Sequence, residues 1–200
     1  MNAPVHPNTK RVVDLYDELV RDRDATLHAP TSGDAALAAE AALLLKAEAR
    51  LLDARAFDRW LTLWEQDAVC WVPLATGSHP GQDQALFLDD RRRLEERVWR
   101  MGDRSAWALW PAAETIRNVG GFEAWTLDEL DGVPPASGSQ PEILVVSLIH
   151  IHHVRSGQVT NLTARQIHRL RRTDAGLRLR RKTMLFPQLT AGTPHLGWLM

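Results

Sequence analysis

The chain has 200 residues, 44% of them apolar, and its 24 Lys and Arg against 25 Asp and Glu leave a formal net charge of −1. That length fits one domain with an ample core, and the near-neutral balance removes the electrostatic case for nucleic acid or anionic lipid, both of which favour a marked positive excess. One cysteine, Cys70, excludes an intrachain disulfide framework and any site needing several thiolates from one chain, and no apolar run approaches the ~18 residues of a membrane span.

Residues 1–33 are polar, contain Pro4, Pro7, Pro30 and Gly33, and carry one helical stretch, Val12 to Val20, with a weak stripe of Val12, Leu15, Tyr16 and Leu19. They read as an N-terminal arm outside a single domain spanning 34–200. The start MNAPVHPNTK has no apolar core of the signal-peptide kind, and with a lone thiol it points to a reducing cytoplasm. Thr31 and Asp34 have capping-box spacing ahead of an alanine-rich run, which predicts the main helix from there. Leu44, Leu45, Leu51 and Leu52 continue its buried stripe, with Lys46, Glu48 and Arg50 between them.

The pattern then restarts: Asp53 is placed to cap a second, short helix on which Phe57, Trp60, Leu61 and Trp64 share a face. Ala68 to Val72 is rich in strand formers, and Pro73 ends its pairing. A loop rich in glycine and proline leads to the short apolar piece Ala85 to Leu88. DDRRRLEERVWRM then predicts a helix with Asp89 as N-cap and Leu94, Val98 and Met101 as its stripe. In the second half alternation replaces the helical period. A strand from Ile116 to Trp125 is interrupted by a bulge or bend at Gly120-Gly121. Three long strands follow, about 143–155, 158–172 and 177–188, joined by Ser156-Gly157 and by Thr173 to Gly176, and tight turns of that kind make neighbours antiparallel.

Helices followed by a strongly curved antiparallel sheet with the helices in its concave face give an α+β architecture, the order of the cone-shaped fold shared by nuclear transport factor 2 and ketosteroid isomerase. Within that fold four pieces, EARLLDARAFDRWLTLWEQDAVCWVPL, LDDRRRLEERVWRM, RLRRTDAGLRLRRKTML and the terminal HLGWLM, resemble the small or beta subunit of aromatic-ring-hydroxylating dioxygenases. The most specific piece is Asp-Asp-Arg followed by Leu-Glu-Glu-Arg-Val. The chain departs from that family where Ala164-Arg165-Gln166-Ile167-His168 replaces the usual Gly-Arg-Arg-Glu-Asp, so it resembles a divergent member. The resemblance implies a non-catalytic partner of a larger alpha subunit, in an assembly of three alpha and three beta chains. It also places the Rieske [2Fe–2S] cluster and the mononuclear Fe(II) in alpha. No cofactor and no metal is then expected in this chain.

Several residues are weighed against that reading. His150 and His152 fall on one face of a strand and His153 on the other; two histidines could share a metal, but no acidic or cysteine ligand lies near them in sequence. A stand-alone cone-fold dehydratase or isomerase is the competing class, with Asp53 and His150 as its pocket groups, and a small ligand-binding module is a third. The isomerases carry an acid just before a proline on the strand after the short helix, where this chain has Val72, which cannot take a proton. Arginines from Arg165 to Arg181 crowd two adjacent strands, and Arg165, Arg169 and Arg180 are taken as a partner surface, since guanidinium suits polar interfaces. Trp107, Trp110, Leu196, Trp198 and Leu199 are further interface candidates, because buried aromatic and apolar anchors carry subunit contacts.

Overall fold

A computed structural model describes residues 7–29, 33–103, 111–134, 138 and 140–187. The described elements are α1 (Pro7–Leu27), α2 (Ala35–Asp53), α3 (Phe57–Leu61), β1 (Trp64–Pro73), β2 (Ala85–Asp90), α4 (Arg91–Gly102), β3 (Glu114–Thr126), β4 (Glu142–Arg155), β5 (Gln158–Thr173) and β6 (Gly176–Leu185), with a single 3-10 turn at Leu127–Glu129. Asp34 is the N-cap of α2, its carboxylate accepting from the N–H groups of Ala36 and Leu37. The chain enters this helix across the sheet: Asp34 N donates to Ala124 O at 2.7 Å. Gly33 has φ +77°, and a Cβ there would lie 2.0 Å from the same carbonyl oxygen, so only glycine fits.

Ala38, Ala41, Leu45, Glu48 and Leu52 recur every three or four residues and are buried along α2, which sets this helix in the hollow of the sheet. Trp60 from α3 and Trp64 meet edge to face at 5.4 Å and share the core with Leu94, Val98 and Met101 of α4 and with Val145, Leu170 and Leu179 of the sheet. Trp64 belongs to β1, not to the short helix, because α3 stops at Leu61. The N-cap of α4 is Asp90, whose carboxylate accepts from Arg93 N. The neighbouring Asp89, expected in that role, is instead buried and ion-paired with Arg97.

The six strands run in the order β2-β1-β6-β5-β4-β3. All neighbours are antiparallel except β1 and β6, which are parallel, so the expected antiparallel sheet is in fact mixed. At the β4–β5 turn both Ser156 and Gly157 have positive φ, 52° and 76°, as a two-residue hairpin loop matched to strand twist requires. The register of β3 on β4 slips between Gly120 and Glu123, which is the anticipated bulge. A second slip, between Arg169 and Leu170 on β5, sets Arg181 opposite Arg169 and Leu179 opposite Leu170. Arg180 is the extra residue on β6 and turns to the same side as Arg181.

The arm expected over residues 1–33 carries α1, 21 residues long, on the opposite face of the sheet from α2. Leu19 packs there against Val69 and Trp71, and Ala25 and Leu27 against Trp125, Leu144 and Ile167. A boundary at residue 33 therefore cuts between elements that share a core. The weak stripe misled because α1 buries polar side chains as well: Glu18, Asp22, Arg23 and Thr26 are all enclosed.

Candidate functional site

Among the described residues, one polar array lies in the hollow of the sheet and another beneath α1. In the hollow, Glu48 of α2 accepts from Lys182 Nζ at 2.8 Å and from Trp60 Nε1 at 3.2 Å, and Glu48 and Lys182 are each almost wholly enclosed. Lys182 is paired in register with Cys70 on β1 and His168 on β5. Burial pushes the Cys70 thiol up to about 12, with Lys182 only partly opposing it, so it is a protonated, inert sulfur. Burial, and then the ammonium of Lys182, pushes His168 well below the usual imidazole range. It is neutral, and neither ring nitrogen has a hydrogen-bond partner among the described residues. Val72 is fully enclosed and offers no proton-transfer group. The hollow thus holds a closed ion pair, a neutral imidazole and a thiol; the carboxylate that would serve as a base is already held by an ammonium and an indole N–H.

Asp53 does not cap α3, whose N-cap is Ala56 with no side-chain bond. Its carboxylate accepts from Arg117 N at 2.9 Å, Arg117 Nη1 at 2.5 Å and Thr115 Oγ1 at 3.0 Å, which pins the end of α2 to β3. Burial pulls the Arg117 guanidinium down and Asp53 opposes the shift. His150, the other pocket candidate, is exposed on the far face of the sheet, its Nδ1 3.0 Å from Thr163 Oγ1. The two are not brought together, and no acid–base pair forms from them. His152 is likewise exposed, 2.8 Å from Asn161 Oδ1, while His153 turns inward. Among the described residues no three His, Cys, Asp or Glu side chains group to hold a metal. A Rieske cluster takes two cysteines and two histidines, and the chain's single cysteine is buried, so its residues do not fit that group.

Beneath α1, Arg169 gives Nε to Glu142 at 2.7 Å and Nη1 to Asp22 at 2.8 Å. Arg180 reaches Glu18 at 2.9 Å and Asp67 at 3.0 Å, and Arg181 reaches Glu18 at 2.6 Å. Sequence reasoning took Arg169 and Arg180 for partner contacts. They are instead buried inside the chain, 1% and 4% exposed, because α1 brings carboxylates to them and the β6 bulge turns two consecutive arginines to one side. Of the three arginines chosen, Arg165 alone is exposed. Trp107, Trp110, Leu196, Trp198 and Leu199 lie outside the described residues. The buried acids went unrecognised in sequence, although Glu48 falls in phase with Leu45 and Leu52, and Glu18 and Asp22 are four apart on one face of α1.

Asp22 supplies a pH test. Burial, only partly offset by Arg169 and reinforced by Glu18, lifts its carboxyl from 3.8 to about 7. A folded-state value above the unfolded one gives stability that is complete below pH 3.8 and is lost as pH rises through about 7, at up to ~1.4 kcal/mol per pH unit. Asp22→Asn is expected to be more stable than wild type at pH 8 and equal to it near pH 4. Urea midpoints that differ by the same amount at both pH values would contradict this.

Comparison with known proteins follows the same outline. A family model described as ring hydroxylating beta subunit matches residues 47–190. The chain is 30% identical over 155 residues to the small oxygenase component of the p-cumate 2,3-dioxygenase system of Pseudomonas putida, covering 76% of this chain and 79% of that one. It is 33% identical over 82 residues to the 2-halobenzoate 1,2-dioxygenase small subunit of Burkholderia cepacia, a match over 38% of this chain that spans half the length of that relative. A chain of naphthalene 1,2-dioxygenase, solved with indole bound in the active site, superposes with a TM-score of 0.71 at 19% identity, over 98% of this chain and all of that one; at that identity it speaks for the fold. No described helix is long and apolar enough to cross a membrane. With the family model covering well over half of its length, the chain belongs to the ring hydroxylating beta subunit family.

Proposed function

We propose that this chain is a non-catalytic subunit of a cytoplasmic multicomponent dioxygenase, in which it holds larger alpha subunits in register. The alpha subunits carry the Rieske cluster and mononuclear iron, and the assembly contains three of each chain. The alpha subunit is the chain's protein partner, and neither nucleic acid nor a membrane is part of this role. The observation that carries the reading is the closed state of the hollow: Glu48, Lys182 and Trp60 satisfy one another, so the place where a cone-fold enzyme works is taken up by structure. The single, buried thiol supports it from the side of redox chemistry. The relatives are small components of a p-cumate and a 2-halobenzoate dioxygenase, both named for aromatic carboxylates, and we assign a substituted benzoate as the class of substrate for the assembly.

The test is purification of the chain alone and with a co-expressed larger subunit. The chain alone is expected to turn over no substituted benzoate and to contain no stoichiometric iron, while the pair elutes together at several times the mass of either chain. Dihydroxylation needs both chains, the electron-transfer components and O2. Turnover of a hydroxyl or carbonyl substrate by the isolated chain would overturn the reading and favour a dehydratase or isomerase.

A further inference from the structure

His168 on β5 is 0% exposed. Strand register sets it on the inner face between Val145 of β4 and Lys182 of β6, and both of its ring nitrogens are buried without a partner among the described residues. An enclosed imidazole of this kind is tolerated only in its neutral form, because the charged form needs water or an anion beside it. Lys182 supplies the reverse, an ammonium in register on the neighbouring strand. The carboxylate that could balance a second cation, Glu48 of α2, already accepts from Lys182 and Trp60. The other charged groups lining the hollow are Asp53 with Arg117, between α2 and β3, and Asp89 with Arg97, between β2 and α4. Cys70 of β1, in register with Lys182, is a neutral thiol. Of all these, the ammonium of Lys182 is the group that acts on His168, and it adds to burial in opposing a proton there.

We propose that His168 is an acid-sensitive latch: one proton taken up there sets two cations side by side in the hollow and lifts α2 from the sheet. α2 is the element that moves because it roofs the hollow, with Ala41, Leu45, Glu48 and Leu52 buried beneath it, and because its polar tie to β6 is the Glu48–Lys182 pair itself. The latch belongs to the chain alone and does not depend on the subunit role. An unfolded imidazole takes up its proton as pH falls through 6.5, whereas the folded chain resists until well below that. Stability is therefore complete above pH 6.5 and is lost as pH falls further, by up to about tenfold in the folding constant per pH unit. Asp22 has the opposite sign between pH 3.8 and about 7, so the two buried groups offset each other in acid, and the effect of His168 is read against a variant at the same pH.

The experiment compares the full chain with His168→Gln and His168→Met, which have no imidazole to titrate. Relative to either variant, the folding constant of wild type from urea unfolding is expected to fall about tenfold between pH 8 and pH 5.5. Amide exchange, corrected for its intrinsic pH dependence, is expected to speed up across α2 in wild type at pH 5.5 before it does in β4 and β5, and to show no such change in the variants. The ring nitrogen shifts of His168 in folded wild type should remain those of a neutral imidazole at pH 5.5, a readout that serves even where neither variant folds. A ratio to the variants that does not change with pH, or a ring that titrates near pH 6.5 in the folded chain, would overturn the latch. Exchange that rises evenly through the whole protein would do the same, since α2 would then not be the part released.

Discussion

Glu48→Ala is expected to lower stability by about 3–5 kcal/mol, since breaking one side of a buried ion pair leaves the other charge uncompensated. Lys182 is 1% exposed and its Nζ bond to Glu48 is 2.8 Å long, so the ammonium has no route to water without opening the sheet. The indole N–H of Trp60 loses its acceptor in the same step, which adds about 1–3 kcal/mol of unsatisfied polar burial if nothing moves to meet it. Glu48→Leu combined with Lys182→Met should recover most of the loss, because replacing both partners by apolar groups of similar volume is often neutral or stabilising. Denaturant unfolding of the single and double variants measures this directly. A double variant no better than the single one would mean that the pair shapes the core in some way beyond its own charge balance.

Arg169→Leu should have a loss of similar size, about 3–5 kcal/mol, for a related reason with a different spatial signature. Arg169 bridges Asp22 on α1 to Glu142 on β4, and a third donor reaches the carbonyl of Pro134. Glu142 keeps Arg171 and Arg180 as partners, whereas Asp22 loses the one direct guanidinium bond it has among the described residues. The damage should therefore concentrate at α1: amide exchange across residues 7–27 should speed up well before that of β4 and β5. Uniform exchange through the whole protein would show instead that α1 and the sheet open as one unit.

Elements whose signal is local were legible in the sequence. The α2 stripe, the Gly120-Gly121 bulge and the Ser156-Gly157 turn are each specified within a few residues, and the structure has all three. The parallel pairing of β1 with β6 was not legible, because no turn connects those strands and nothing in either one names its partner. The role of Arg169 and Arg180 was not legible for the same reason, since their partners Asp22 and Glu18 sit in a segment that looked solvated. The cap positions missed by one residue, with Asp90 in place of Asp89, show how two adjacent carboxylates divide between a helix end and an arginine. Of the candidate site, the family and the inert Val72 position could be read in advance. The closed pair in the hollow could not, since Glu48 and Lys182 are 134 residues apart.

Those separations bear on how the protein comes into being on the ribosome. The carboxylates of α1 find their arginines 147 to 163 residues later, and β1 acquires its second neighbour only when β6 emerges. Early segments must wait, with Trp71 and Leu19 unsheltered, until Gly176–Leu185 has been translated. Such late closure lengthens the interval in which a nascent polypeptide is open to aggregation, so yield during expression should respond to chaperone supply and growth temperature more than the stability of the finished fold would suggest.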